Sequence, residues 1–380
     1  MQNLDPKTLS DLNQAFSDSP EGFLVVDQGV PRFAVLDYQT YKKLRSEIGK
    51  APITGKILVT GGAGYIGSAT VRLLRDKGFD VVVYDNLSTG VRERVGDCPL
   101  VVGDLRDLEL LNKTFDEGSF DAVVHFAGSV VVEESVKNPA KYFQNNVVNG
   151  LNLLRAMVDH GVQKIVFSSS AAVYGEPIGG VISEDMPCDP TNPYGESKLM
   201  FERILRDYAE AYGLRATALR YFNASGSWPE AGVGYRYNGE ETHLVPRLLQ
   251  VAAGTLPELV VNGQNYDTPD RTCVRDYIHI RDLAEAHVLA LKRLSTERGF
   301  AAYNVGTGKG YSVLEVIEAA MEITGRMVPM RFAERRAGDP PKLVADTSKM
   351  KLRWNWQPKH DLNSILESSW QWLQQNKKAT

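Results

Sequence analysis

Short, almost wholly apolar runs alternate with longer stretches in which apolar residues return every three or four positions, and this alternation begins near Lys56. Runs at 57–60, 81–85, 100–102, 122–126, 164–168 and 215–219 read as strands. The first is apolar enough to be buried on both faces of a parallel sheet. Stretches at 65–77, 108–115, 140–160 and 194–212 read as the helices between them. Strands and helices in this order predict an α/β fold with a doubly wound parallel sheet. Beyond Asn223 the alternation loosens into Gly-, Pro- and Asn-rich connections with short helices, as in a second, smaller C-terminal lobe that supplies substrate contacts. The expected division is a sheet domain over 53–225, with a returning segment near 262–300, and a substrate lobe from 226–261 and 301–380.

Residues 1–52 precede this pattern and read as a short N-terminal α+β extension. Apolar runs at 23–26 and 33–36, separated by Asp27-Gln28-Gly29, predict a hairpin, followed by a short helix through Tyr41 and Leu44. The run Gly29 to Leu44 resembles the hairpin and helix of prevent-host-death type antitoxins, over less than half of that family's length. Its DNA-binding end would need basic residues, yet the first 22 positions carry Asp5, Asp11, Asp18 and Glu21 against Lys7 alone. A dimerising or docking module and a passive appendage are equally open.

The chain of 380 residues is 43% apolar, enough to bury a sizeable core. Its net charge of -4 gives no basic face for nucleic acid or an anionic membrane, so neither is expected as a partner. No apolar run reaches the roughly 20 residues that span a bilayer, and residues 1–20 lack a basic start and an apolar centre, so a cytoplasmic protein is expected. Cys98, Cys188 and Cys273 show neither CxxC nor Cys/His spacing. No disulfide framework and no metal site are expected.

Two stretches carry chemistry. The first strand runs into Gly61-Gly62-Ala63-Gly64-Tyr65-Ile66-Gly67, where Gly61, Gly64 and Gly67 allow a tight turn, close approach to a pyrophosphate and close packing of the following helix. The helix amides then face the phosphates. The second strand ends in Asp85, about 20 residues past the loop, the distance expected for an acid on the adenosine ribose. A carboxylate there repels a 2'-phosphate and favours NAD over NADP. Together with the strand order, this is a Rossmann-type dinucleotide site. Asp104, just past the third strand, is placed to reach the adenine, and His125-Phe126-Ala127-Gly128, past the fourth, lies along the cofactor. The other stretch pairs Ser168-Ser169-Ser170 with Tyr194-Gly195-Glu196-Ser197-Lys198. Tyr194 and Lys198 fall one helical turn apart on the same face. A phenol titrates near 10 and is a poor base at neutrality, but a nearby ammonium favours the phenolate. A serine hydroxyl could then bridge it to a sugar hydroxyl for proton transfer.

The motifs Thr-Gly-Gly-Ala-Gly-Tyr-Ile-Gly, Ser-Ser-Ser-Ala-Ala-Val-Tyr-Gly, Asn-Pro-Tyr-Gly-Glu-Ser-Lys, Leu-Arg-Tyr-Phe-Asn-Ala-Ser-Gly and Val-Arg-Asp-Tyr-Ile-His stand in order between positions 60 and 279. They resemble the extended short-chain dehydrogenase/reductase superfamily, and within it the UDP-glucose 4-epimerase family, over about 56–374. The resemblance implies Ser170 as the catalytic serine, Tyr194 as base, and Lys198 as its electrostatic partner and a nicotinamide-ribose ligand. It implies NAD contacts at Tyr65, Ile66, Asp85, Asn86, Asp104, Leu105, Phe126, Ala127, Asn145 and Tyr221. It also implies that the UDP-sugar is held by Asn223, by the stretch 241–246 with His243 and Leu244, by Arg275 and Arg336 on the pyrophosphate, and by Asp339 on the uridine ribose. Guanidinium forks suit the phosphates.

Ala171-Ala172 follow the serine where 4,6-dehydratases of the superfamily carry Asp-Glu, so dehydration is not expected. Leu343 stands where a tyrosine closes the sugar pocket in some relatives, which implies tolerance of N-acetylhexosamines. Arg271 stands where glycine is usual. C4 epimerisation of UDP-pentoses or UDP-glucuronate stays open, as does a non-catalytic NAD-sensing regulator. Relatives that pair the helices at 140–160 and 194–212 across a two-fold axis imply a homodimer.

Overall fold

The structure, a computed structural model of the chain, is described for residues 23–27, 30–35, 55–177, 179–235, 242–335 and 339–377. It divides into two compact units, Met1–Ile53 and Thr54–Thr380. In the first, Phe23–Asp27 and Val30–Val35 pair antiparallel, Phe23 opposite Val35, with an irregular step between Val25 and Val26. The helix expected through Tyr41 and Leu44 and the acidic positions before Phe23 lie outside the described residues.

The second unit is built on a seven-stranded parallel sheet. Its spatial order is Phe300–Val305, Arg215–Tyr221, Lys164–Ser170, Ala122–His125, Lys56–Thr60, Asp80–Asp85 and Leu100–Val102. Ile57, Leu58 and Val59 are all fully buried, because helices cover both faces of the central strand. Leu58, Val123 and Ile165 lie side by side in register, in one core with Leu153, Leu154, Met157, Phe201 and Leu205 from the helices Asn149–Asp159 and Pro193–Tyr212. Another cluster joins Ala69 of the helix Tyr65–Asp76 to Ile280 and Ala284 of the helix Ile280–Arg293.

Two expectations are corrected. The helix expected over 140–160 is Pro139–Phe143, a wide π-helical turn at Gln144–Val148, and Asn149–Asp159. The interruption falls at Asn145 and Asn146, whose side chains bond a neighbouring loop. The strand Phe300–Val305 pairs with Arg215–Tyr221, Phe300 opposite Ala216. The boundary expected at 300/301 therefore falls inside a strand, and the returning segment runs through Val305.

The remaining strands form a smaller lobe. Asn223–Ser225, Val274–His279, Lys342–Ala345 and Val181–Ile182 lie in that order, all parallel, with Gly310–Ser312 antiparallel on Val274–His279. Helices Leu244–Ala252, Val313–Thr324 and Leu362–Lys377 share a separate core that includes Leu248, Leu249, Val316, Ile317, Ile365 and Leu366.

Arg271, where glycine is usual, has φ +64°. Its amide donates to Thr268 O at 3.1 Å and its carbonyl accepts from the Tyr266 amide at 3.1 Å, so the turn itself requires the left-handed backbone. Its side chain is exposed. A left-handed non-glycine residue costs roughly 1–2 kcal/mol, of which glycine's greater unfolded-state freedom returns only part. Arg271→Gly is expected to stabilise the protein by about 0.5–1 kcal/mol in urea unfolding; destabilisation would show that the arginine side chain, and not the backbone, governs this loop.

Candidate active site

The strand order reverses beside Lys56–Thr60, whose neighbours Asp80–Asp85 and Ala122–His125 lead away in opposite directions. Such a sheet accepts ligands in the crevice at the carboxyl ends of its strands. Thr60 and His125 close the floor: Thr60 Oγ1 and His125 Nδ1 are 2.7 Å apart, and the Phe126 and Ala127 amides donate to Thr60 O at 2.8 and 3.1 Å. Gly61 has φ +73°, and a Cβ there would lie 2.5 Å from the Ala127 nitrogen. A Cβ on Gly67 would lie 2.2 Å from the Gly61 carbonyl oxygen, so glycine lets the helix start against the loop. That helix begins after Gly64 with no side-chain cap and no acid in its first turn, which leaves its positive end facing the crevice.

Asp85 ends the neighbouring strand, 8% exposed. One carboxylate oxygen accepts the Ala63 amide at 2.9 Å and the other the Leu87 amide at 2.8 Å. Each oxygen keeps a lone pair for a diol. Asn86 donates to Asp104 at 2.8 Å, and Arg106, bonded to the same carboxylate, holds it down at about 2. The Leu105 side chain is buried in the core and its carbonyl accepts from Asn152 at 2.9 Å. The Tyr65 hydroxyl donates to the Gly226 carbonyl and its ring lies 4.3 Å from that of Tyr235.

At the other end, the chain brings Ser170, Tyr194 and Lys198 together. Pro193–Tyr212 starts sharply because Asn192 caps it, accepting the Gly195 amide at 2.9 Å, with proline in the first turn. Tyr194 is 6% exposed and Lys198 2%. Lys198 Nζ donates to Ser168 O at 2.9 Å and lies 5.9 Å from the centroid of the Tyr194 ring. Ser168 Oγ and the Tyr221 hydroxyl are 2.8 Å apart, and the Ser170 hydroxyl, which accepts the Ala172 amide at 3.1 Å, lies near Tyr194. The expected lowering of the phenol is corrected: burial raises the Tyr194 pKa, with the nearby Ser170 hydroxyl opposing. Burial pulls the Lys198 ammonium down to about 8, with Glu202 opposing.

Asn145 donates to Ser129 Oγ at 3.0 Å, one residue past Gly128. The neighbouring Asn146, absent from the sequence expectations, is 4% exposed and holds more. Its Oδ1 accepts the Ser129 amide at 2.7 Å, and its Nδ2 donates to Ser129 O at 3.0 Å and to Ser197 Oγ at 2.9 Å. It thus ties the loop after Gly128 to the helix between Tyr194 and Lys198. Its one sequence signal is a pair of poor helix formers inside a helical pattern.

On the substrate side, Asn223 is exposed at the start of its strand, opposite Tyr277. His243 precedes the helix Leu244–Ala252, its ring 5.7 Å from Tyr235, and Leu244 packs on the lobe's core. Arg275 and Asp339 are ion-paired with each other. Arg275 also donates to Pro340 O at 2.8 Å, and the Tyr266 hydroxyl donates to Asp339 at 2.9 Å. Arg336 and Glu241 lie outside the described residues. Leu343 sits opposite Arg275 in register and packs against the cluster that contains Ala171, the residue after Ser170.

The profile of the NAD dependent epimerase/dehydratase family matches residues 57–306. The chain belongs to this family. It is 49% identical to a UDP-glucose 4-epimerase of Azospirillum brasilense over 319 residues, 83% of this chain and 91% of that protein. Among solved structures it is similar to a UDP-glucose-4-epimerase from Stenotrophomonas maltophila with bound NAD and formylated UDP-arabinopyranose, at 41% identity and a TM-score of 0.83, covering 86% of this chain and all of that one. A UDP-glucose 4-epimerase from Bifidobacterium longum in complex with NAD+ and UDP matches at 41% identity and a TM-score of 0.81, with the same coverage. The crevice of this member suits the family's cofactor on its own chemistry. The uncapped helix end fits a pyrophosphate, Asp85 a ribose diol, and Lys198 has one hydrogen bond among the described residues, leaving ammonium protons for a second ribose.

Three imidazoles around the site are buried and neutral. Burial pushes His125 and His279 down to about 3 and His287 to about 4. His287 lies 4.6 Å from the Phe126 ring, and its Nε2 has no hydrogen-bond partner among the described residues. In the unfolded chain each histidine titrates near 6.5, so below that pH the unfolded state binds more protons and stability falls as pH drops toward the folded values. His287→Phe is expected to reduce the slope of unfolding free energy between pH 6 and pH 5 by about 1 kcal/mol per unit; an unchanged slope in urea titrations would show that His287 protonates in the fold.

Proposed function

We propose that this protein is an NAD-dependent UDP-glucose 4-epimerase that interconverts UDP-galactose and UDP-glucose through a 4-keto sugar. The observation that carries this reading is the convergence of Ser170, Tyr194 and Lys198 at the carboxyl edge of the sheet, on the nicotinamide side of a crevice fitted to a dinucleotide. Relatives 46% and 49% identical to this chain carry the same activity in their names.

NAD would be held by the loop Gly61 to Gly67 with Tyr65 and Ile66, by Asp85, Asn86, Asp104 and Leu105 at the adenosine end, and by Phe126, Ala127, Gly128, Asn145, Lys198 and Tyr221 toward the nicotinamide. Bound in its oxidised form, it supplies the hydride acceptor and a positive charge. The chain's own residues do the rest. Tyr194, with Ser170 as bridge, takes the proton of the sugar 4-hydroxyl and later returns it. Lys198 holds positive charge beneath the phenol, and that charge favours the phenolate against the cost of burial. Arg275, Asp339 and Arg336 anchor the nucleotide while the keto sugar turns over between the two faces. Leu343 and Ala171 offer the sugar no hydrogen bonds, so neither face is fixed. No acid stands beside Ser170 in the sequence to expel water, which favours epimerisation over dehydration.

The active unit is read as a homodimer formed by the helices Asn149–Asp159 and Pro193–Tyr212, beside which Val148 and Met200 are exposed. No helix among the described residues is long and apolar enough to cross a membrane, and a cytoplasmic location belongs to the same reading.

Purified protein incubated with UDP-galactose should yield UDP-glucose by NMR. Tyr194→Phe, shown folded and cofactor-loaded, should lower kcat by about 10²–10⁴. The parent's rate in that variant would refute the assignment. Leu343 is shorter than the tyrosine of some relatives, so UDP-GlcNAc should also be turned over. Conversion of UDP-galactose with none of UDP-GlcNAc in a paired assay would show that the pocket is closed by other means.

A further inference from the structure

Lys198 is not the last polar group on the buried face of its helix. Glu202 follows one turn later, 1% exposed, beside the strand that carries Arg220, 4% exposed. Ser169 donates to Glu202 Oε1 at 2.5 Å, and Arg220 donates through Nε to Oε1 at 3.0 Å and through Nη2 to Oε2 at 2.6 Å. Arg220 Nη1 donates to the Tyr174 hydroxyl at 2.9 Å, which donates to Asn304 Oδ1 at 2.7 Å. Two of the three consecutive serines therefore grip consecutive turns of one helix, the Ser168 carbonyl at Lys198 and Ser169 at Glu202, while Ser170 lies near Tyr194 one turn earlier. Replacing a buried ion pair by apolar residues of similar volume is often neutral or stabilising, so stability alone is a weak reason for this one.

We propose that Glu202 is a positioning residue: clamped by Ser169 and Arg220, it fixes the depth and rotation of the helix Pro193–Tyr212 against the serine strand and keeps Lys198 in its charged form. This rests on the proposed epimerisation and adds a residue outside the Ser/Tyr/Lys set. The groups facing Lys198 leave that task to Glu202. From its own helix come Tyr194 and Glu202. Ala122–His125 contributes His125, held neutral by burial. Arg215–Tyr221 contributes Arg220, bound to Glu202, and the Tyr221 phenol, pushed up by burial. Lys164–Ser170 presents the Phe167 ring at 4.9 Å and the serines. Pro139–Phe143 brings Tyr142, edge-on to Tyr194 at 6.4 Å and bonded to Glu134. Among these groups Glu202 is the carboxylate that favours the ammonium, which matches the sense of its effect on Lys198.

Three variants of the full chain test the proposal, each with circular dichroism and cofactor content recorded: Glu202→Gln, Glu202→Asp, and the double variant Glu202→Gln with Arg220→Met. Parent turnover of UDP-galactose is measured first, so an inactive parent counts against the proposed reaction and not against this role. With an active parent, Glu202→Gln should move the alkaline limb of kcat down by about one pH unit or more. It should also raise the pH at which the ultraviolet difference band of the Tyr194 phenolate develops, a band identified by its loss in a Tyr194→Phe background. Glu202→Asp keeps the charge at shorter reach and should retain the parent's limb while kcat falls roughly tenfold. The double variant stands in where a lone buried arginine prevents folding; because it also removes the Arg220 cation, its limb should lie below the parent's and above that of Glu202→Gln. A folded charge-free variant with the parent's limb and phenolate band overturns the proposal, as does Glu202→Asp with the parent's kcat. Failure of both charge-free variants to fold also overturns it, since the pair would then serve the fold and not Lys198.

Discussion

An ammonium that is 2% exposed is expensive to bury unless its charge is answered, and the arrangement of this molecule around Lys198 is the answer. Among the described residues the amine has one carbonyl, that of Ser168, to donate to. Its surroundings are otherwise the faces of Phe167 and Tyr194, a neutral imidazole, and the field of Glu202. Such a site forms only if a central strand ends at the right depth beneath a helix whose polar residues recur every fourth position. The sheet order supplies that strand, placing Lys164–Ser170 between Ala122–His125 and Arg215–Tyr221. Asn146 and Asn192 supply the helix start, one tying Ser197 to the Ser129 loop and the other capping the first turn.

The same charge network reaches into the smaller lobe. Glu202 holds Arg220, Arg220 holds Tyr174, and Tyr174 holds Asn304, whose side-chain nitrogen donates to Ile182 O at 2.8 Å. Val181–Ile182 pairs in turn with Lys342–Ala345, the strand of Leu343, which lies opposite Arg275. The helix of Tyr194 and Lys198 and the strand of Leu343 are therefore registered to one another through buried hydrogen bonds and strand pairing. A rigid frame suits a reaction in which only the sugar turns.

The parts legible in the sequence were those with short-range grammar. The glycine loop and its strand, the acid ending the next strand, and Tyr194 with Lys198 each lie within one supersecondary unit, where spacing alone fixes geometry. Asn146, Glu202 and Arg220 were not legible because their partners are supplied by segments 17 to 51 residues away. The π-helical turn was hidden for a related reason: apolar periodicity continued across it, and only the loop it binds explains the break. The strand Phe300–Val305 went unread because its Ala-Ala-Tyr-Asn run gains strand character only from Arg215–Tyr221 beside it. The sense of the Tyr194 shift was misread because spacing shows the ammonium and does not show the depth of burial.

The two ends of the proposed substrate place opposite demands on the cleft. A diphosphate must be held through the reversal of the sugar, so cations are needed; a sugar that turns over must not be held, so directed hydrogen bonds to its hydroxyls would be a hindrance. In the proposed reaction Arg275 would meet the first demand, and it is already engaged with Asp339 and the Pro340 carbonyl. A guanidinium kept in a fixed orientation by neighbours loses less rotamer freedom when it engages an anion than one that is loose in solvent. Leu343, opposite Arg275 in register, and Ala171, in one apolar cluster with Leu343, would meet the second demand by offering only apolar side chains. Tight anchoring at one end and an indifferent wall at the other would let a single proton-transfer group serve both faces of one carbon.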